Sequence, residues 1–230
     1  MQMLRKLLDK VASMGGNTLY YPGCLSRFAA PEYVENYRKI LQKLEVDFIE
    51  IPEFNCCGSP VVNAGFEDDF IGLIRKNQEI FRKYGVKRII TNCPSCCKVF
   101  REDYEMKAYH ITEVIAENLD KLEKIYDDEP VCYHDPCHLG RGLGIYEAPR
   151  KILEAVGFEI AEMDNTKDRS LCCGAGGGLK TNNPKLSDEI GKKRMSQCTT
   201  KKLVTSCAMC ARHLKENAKG IEVLELSEVL

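Results

Sequence analysis

Cysteine placement constrains this chain more than any other feature. Thirteen cysteines stand in 230 residues, and ten of them fall into one pattern written twice. In the first copy Cys24 is followed, after 31 residues, by Cys56-Cys57-Gly58, and after 35 more by Cys93-Pro-Ser-Cys96. In the second, Cys137 is followed after 34 residues by Cys172-Cys173-Gly174, and after 33 more by Cys207-Ala-Met-Cys210. A chain of this size buries a sizeable core without disulfides, so the thiols point to chemistry rather than to staples. The neighbouring text repeats as well. Arg38-Lys-Ile-Leu41 is answered by Arg150-Lys-Ile-Leu153, and Ile111-Thr-Glu-Val-Ile115 by Leu226-Ser-Glu-Val-Leu230. Two paralogous halves follow from the repeat.

Within each half, short β-rich runs alternate with helical ones, the signature of βαβ units and a mainly parallel sheet. The first half reads as strand Thr18 to Tyr21, helix Pro31 to Leu44, strand Asp47 to Ile51, helix Glu67 to Tyr84 and strand Arg88 to Thr91. The second reads as strand Val131 to His134, helix Tyr146 to Val156, strand Glu159 to Glu162, helix Pro184 to Gln197 and strand Leu203 to Thr205. This divides the chain into an amphipathic helix over 1–15, a first domain over 16–120, a linker over 121–130 and a second domain over 131–230. Cys24, Cys93, Cys137 and Cys207 then each follow a strand, so the ten cysteines gather where open α/β sheets bind ligands.

The near balance of charge, a formal net of −1, advertises neither nucleic-acid binding nor a polybasic membrane surface. Charges interrupt the first ten residues, so no secretory h-region is present, and no run is long and apolar enough to span a bilayer. A cytoplasmic, reducing location is expected, with any membrane contact made through a partner.

Three chemistries compete for the paired thiols. Disulfides fit poorly, because adjacent cysteines rarely bridge and each half holds an odd set of five. Structural zinc takes four ligands and leaves one thiol over, although it can still fill one half. An ordinary iron–sulfur cubane also uses four, so the fifth cysteine stays unexplained by either metal.

The pattern of a lone Cys, Cys-Cys-Gly and Cys-x-x-Cys resembles the cysteine-rich CCG domain. That domain occurs in the B and D subunits of heterodisulfide reductases and in iron–sulfur subunits of glycolate, lactate and glycerol-3-phosphate dehydrogenases. The resemblance runs from Tyr20 to Leu230. It implies an α/β protein of two pseudo-symmetric Rossmann-like domains, with a noncubane [4Fe-4S] cluster at the carboxyl ends of the strands in each. The ligands implied are Cys24, Cys56, Cys57, Cys93 and Cys96 for one cluster, and Cys137, Cys172, Cys173, Cys207 and Cys210 for the other. One cysteine then bridges two irons, and these cysteines are also the catalytic set. The implied activity is that of an oxidoreductase subunit in which the clusters take up the halves of a cleaved disulfide. The alternatives are an electron-relay subunit of a flavin-dependent dehydrogenase and a non-catalytic zinc-bound scaffold. The chain carries no ferredoxin-type cysteine run, so a ferredoxin-type iron–sulfur or flavoprotein subunit is the expected partner and a small disulfide or thiol the expected substrate.

The other candidates cluster round the motifs. Gly58, Gly174, Gly176 and Gly177 would let backbone N–H groups approach cluster sulfides. In His134-Asp135-Pro136-Cys137-His138, either imidazole is placed to protonate a thiolate product, or His134 caps the strand and His138 packs locally. Arg27 and Arg141 follow the lone cysteines and offset cluster charge, hold an anionic substrate or form ordinary salt bridges. Cys97, Cys132 and Cys198 have no counterpart in the other half and read as small apolar side chains. His110 and His213 match nothing, which leaves them a structural or surface role.

Overall fold

A computed structural model describes residues 16–53 and 55–230. The helix expected over 1–15 lies outside the described residues. The first half runs β1 (Asn17–Tyr20), α1 (Cys24–Ala29), α2 (Pro31–Lys43), α3 (Ser59–Asn63), α4 (Glu67–Lys83), β2 (Val86–Thr91), α5 (Pro94–Glu102), β3 (Lys107–His110) and α6 (Ile111–Ala116). The second runs β4 (Glu129–His134), α7 (Gly140–Leu143), α8 (Glu147–Ala155), β5 (Phe158–Ile160), α9 (Leu179–Asn182), α10 (Pro184–Met195), β6 (Lys202–Thr205), α11 (Ala208–Asn217) and β7 (Glu222–Glu225). A 3-10 turn, Leu226–Val229, follows β7. Proline stands at the start of α2, α5 and α10, where its missing N–H costs nothing. In α4, Glu67, Asp68 and Asp69 open the helix and Arg82 and Lys83 close it, matching its macrodipole.

Both sheets are parallel, ordered β1-β2-β3 and β5-β4-β6-β7. The strand expected at Asp47 to Ile51 shrinks to one bridge, in which Ile49 N–H donates to the Thr18 carbonyl at 2.8 Å and Tyr20 N–H to the Ile49 carbonyl at 3.0 Å. Asp47 and Glu50 face solvent and Pro52 has no N–H to continue the ladder. With that bridge counted, the two sheets have the same order, the second merely possessing a fuller edge. The expected Glu159 to Glu162 strand forms earlier, at Phe158–Ile160. From β4 the chain moves to β5 on one side and then to β6 on the other, so the crevice at the carboxyl ends of β4 and β6 is a topological switch point. β1 and β2 make the equivalent crevice.

The halves share one core. Tyr20, Tyr37, Ile90, Ile111 and Ile115 of the first pack with Val131, Tyr133, Ile152, Val204 and Leu226 of the second. Each such side chain, fully buried, stabilises the fold by roughly 1.5–3 kcal/mol. Across this junction α6 packs on α8, α1 touches α11 and α5 touches α7, which brings the cysteine-bearing ends of the two halves together. No helix among the described residues is long and apolar enough to cross a membrane.

Candidate metal centre

Each five-cysteine set converges from three backbone segments. Cys24 opens α1 directly after β1, and Cys93 is the N-cap of α5 directly after β2. Cys96 lies in the first turn of α5, and Cys56 and Cys57 precede Gly58, the left-handed N-cap of α3 at φ +96. The second half repeats this, with Cys137 after β4, Cys207 as N-cap of α11, Cys210 in its first turn and Cys172-Cys173 before Gly174 at φ +93. A Cys-x-x-Cys pair at a helix N-terminus meets unpaired N–H groups and the positive dipole end, both of which favour thiolate. Cys93 is lowered in this way, by a hydrogen bond from Cys96 and by the backbone N–H groups of Cys96 and Ser95.

The thiols bond to one another identically in the two halves. Cys96 Sγ donates to Cys57 Sγ at 3.2 Å, and Cys210 Sγ to Cys173 Sγ at 3.2 Å. Cys56 is the hub of the first set. Hydrogen bonds from Cys24 and Cys57, with the Gly58 N–H at 3.4 Å, pull its thiol down to about 2. Cys172 is the hub of the second, held at about 2 by Cys137, Cys173 and the Gly174 N–H at 3.4 Å. The donors Cys24 and Cys137 are correspondingly raised. In each half two thiols are buried at the back, Cys57 with Cys96 and Cys173 with Cys210, while the other three are half-buried at the front. A group held there has one protected and one accessible side.

The surrounding groups brace the site. Asn77 Nδ2 donates to the Cys56 carbonyl at 2.9 Å and to Tyr104 Oη at 2.8 Å, and Tyr104 in turn donates to the Cys57 carbonyl at 3.0 Å. In the second half Ser187 Oγ donates to the Gly174 carbonyl at 2.9 Å, with His213 against the same serine. Asp135, two residues before Cys137, is gripped by Arg150 at 2.8 and 3.0 Å, and Arg150 also reaches Glu162 at 2.6 Å. Arg38 and Glu50 make the matching pair in the first half at 2.9 Å, on the surface. No motif in the sequence singles out Asn77, Tyr104 or Arg194. Arg150 and Arg38 do show there, as the first residue of a repeated tetrapeptide.

The remaining candidates divide. His138 Nδ1 lies 3.5 Å from Cys137 Sγ, and burial lowers its basicity. His134 is sealed at the end of β4 beside Cys173 and Cys210. Arg141 donates to the carbonyls of Ser170 and Asp168, at 2.6 and 3.3 Å, and so holds the loop that leads to Cys172. Arg27 is exposed on α1, at a cleft shared with Arg38 and Glu50. Gly58 and Gly174 donate their N–H groups to Cys56 Sγ and Cys172 Sγ. Gly176 and Gly177 are exposed, and a Cβ on either would meet no atom within 4 Å. Cys97 is fully buried. Cys132 and Cys198 are not simply apolar filler, because their thiols hydrogen-bond to one another and Cys132 is lowered to about 5. His110 caps α6, its Nδ1 accepting from Thr112 N–H.

The donor set fits a thiolate-bound metal group. Five sulfurs converge per half, the hub is already drawn toward thiolate, and the backbone closes on the site at Gly23, where a Cβ would stand 2.8 Å from Cys93 Cβ. Soft sulfur donors suit iron–sulfur clusters or zinc and not a hard oxygen-seeking cation.

Three relatives are named as oxidoreductases or their subunits. The chain is 29% identical over 97% of its length to the B subunit of fumarate reductase (CoM/CoB) from Methanothermobacter marburgensis, and covers 48% of that protein. It is 30% identical over 89% of its length to the D subunit of dihydromethanophenazine:CoB–CoM heterodisulfide reductase from Methanosarcina barkeri, covering 54% of it. It is 32% identical over 92% of its length to EtfAB:quinone oxidoreductase of Syntrophomonas wolfei, covering 32% of it. The chain thus spans about half the length, or less, of these curated relatives. The family model described as the cysteine-rich domain matches residues 18–101 and again 131–215, and the chain belongs to that CCG family, of which it carries two copies.

Proposed function

We propose that this chain is an iron–sulfur oxidoreductase subunit that couples electron transfer to thiol–disulfide chemistry. The observation that carries this is the completeness of both five-thiol sets, each with the same hub, the same buried pair and the same accessible front. Cys24, Cys56, Cys57, Cys93 and Cys96 would hold one [4Fe-4S] cluster, and Cys137, Cys172, Cys173, Cys207 and Cys210 a second, both of noncubane type. Such clusters supply one-electron reduction and sulfur-binding iron to the accessible side of each site.

The chain's own residues do the rest. Asp135 and Arg150 fix the approach to Cys137, and Asn77 and Tyr104 fix the Cys56-Cys57 backbone. α1 contacts α11 and α5 contacts α7, so both sites border the junction of the halves, and this supports a reading in which one disulfide is taken up by the two together. The overall step is RSSR′ + 2e⁻ + 2H⁺ → RSH + R′SH. Cys137's neighbour His138 is placed to relay a proton to one product thiolate. Electrons come from a ferredoxin-type or flavoprotein partner in a reducing, cytoplasmic compartment.

A relay role, without a disulfide substrate, is the second reading, and the similarity to a quinone oxidoreductase favours it. Anaerobic protein with reduced methyl viologen and cystamine separates the two. Disulfide cleavage is expected to release two thiols for each two electrons consumed. Release no faster than with protein bearing both Cys56→Ser and Cys172→Ser overturns it in favour of the relay.

A further inference from the structure

The second site carries a buried donor that the first lacks. His134, fully buried at the end of β4, accepts a hydrogen bond at Nδ1 from Arg194 Nε at 2.9 Å. A guanidinium only donates, so Nδ1 bears no proton and the neutral ring carries its proton on Nε2. Nε2 is buried with no partner of its own. Yet the ring lies with Cys173 Sγ and Cys210 Sγ, the three ligand atoms within 4.8 Å of one another. A buried N–H with no acceptor is costly, and the ring that carries it lies beside two sulfurs.

Arg194 adds charge. Its side chain is sealed on α10, donating to the Asn165 carbonyl and Gln197 Oε1, both at 2.7 Å, while Nη2 has no partner. The cation thus rests on neutral acceptors behind the imidazole.

The repeat shows what the first half has instead. Cys24 and Cys137 differ by 137 − 24 = 113, and the residue 113 before His134 is Tyr21. The Tyr21 ring meets Phe100 edge-on at 4.9 Å, and its hydroxyl donates to the Asn55 carbonyl. An aromatic wall takes the place of the imidazole and guanidinium.

We infer that His134, oriented by Arg194, donates its Nε2–H to sulfur at the second five-thiol site and makes that site the more easily reduced of the two. Hydrogen bonds to cluster or ligand sulfur, and positive charge nearby, favour the reduced form. Electrons therefore settle first in the second half, and the first half is the harder to reduce. This rests on the iron–sulfur reading of the ten cysteines, and Arg194 acts as a positioning residue.

The test is a mediated redox titration, followed by electron paramagnetic resonance, of the anaerobic holoprotein and of His134→Leu and His134→Gln. In His134→Leu with wild-type iron content, the higher-potential step is expected to lose about tenfold in its equilibrium constant, or about 59 mV for one electron. The lower step stays in place. His134→Gln, whose amide keeps an N–H, recovers most of the loss. Both steps unmoved, or both moved equally, overturn the inference and leave the proposed function standing.

Should the leucine variant lose iron, pulsed resonance on protein labelled with nitrogen-15 histidine decides. A histidine coupling that survives His138→Gln and vanishes in His134→Gln supports the hydrogen bond, and its absence from wild type overturns it. Wild-type protein with zinc or no metal in the second half overturns the iron–sulfur reading and this inference together, and metal analysis identifies that outcome before any variant is made.

Discussion

The hydroxyl of Tyr37, on α2 of the first half, donates a 2.6 Å hydrogen bond to Oε1 of Glu225, at the end of β7 in the second, and both residues are sealed from solvent. Glu225 Oε2 also accepts the Ser227 N–H at 2.8 Å, closing a capping box with Glu228. His110 and Glu113 build the same box at the equivalent place in the first half. The repeated Thr-Glu and Ser-Glu dipeptides are therefore helix-start signals, one of which also ties the halves together.

Burial raises the Glu225 carboxyl to about 7. The folded state thus holds its proton more tightly than the unfolded chain. Its stability contribution is full below the ordinary carboxylate range and is lost as pH rises to about 7. Denaturant titrations should show wild type losing on the order of 3 kcal/mol relative to Glu225→Gln between pH 4 and 8. Parallel pH profiles for the two proteins would refute this.

Arg150 is 5% exposed and bridges Asp135 and Glu162 next to Cys137. Arg150→Met strands the buried Asp135 carboxylate and is expected to cost about 3–5 kcal/mol in unfolding free energy. Arg38→Met, removing the exposed equivalent, should cost less than about 1 kcal/mol. Equal losses would show that burial does not distinguish the two pairs.

Gly58 combines φ +96 with a Phe70 ring carbon 2.4 Å from where a Cβ would stand. Gly58→Ala should destabilise by more than about 2 kcal/mol, from the left-handed backbone and the clash together. Gly177→Ala has the backbone penalty without a clash, and should lose only the former, about 1–2 kcal/mol. Thermal unfolding of both variants measures the difference.

Cys56→Ser and Cys172→Ser each remove the hub of one set, so iron should fall by about half in either and nearly vanish in the double variant. Cys97→Ala, at a buried thiol outside both sets, should keep full iron. Full iron in both serine variants would refute the five-thiol scheme.

Much of this site is legible in the sequence because its motifs are local. A lone cysteine and a Cys-x-x-Cys each sit where a strand gives way to a helix, a vicinal pair stands in a loop just before a left-handed glycine, and the repeat fixes the register. β3 and β7 are not legible, since Lys107-Ala-Tyr-His and Glu222-Val-Leu-Glu are four-residue edge strands, too short to show a period. Arg194 is hidden for a different reason. In Lys192-Lys193-Arg194 it reads as a basic last turn, yet tertiary packing turns this one cation inward to His134. Likewise the Asp47 to Ile51 run is apolar enough to suggest a strand but lies at an edge, where it forms one bridge.

The most direct measurement is the iron, acid-labile sulfide and zinc content of anaerobically purified protein. Two complete thiol sets predict about eight irons per chain with matching sulfide and no stoichiometric zinc. Zinc alone, or a chain free of metal with all ten thiols titratable, would contradict the redox reading.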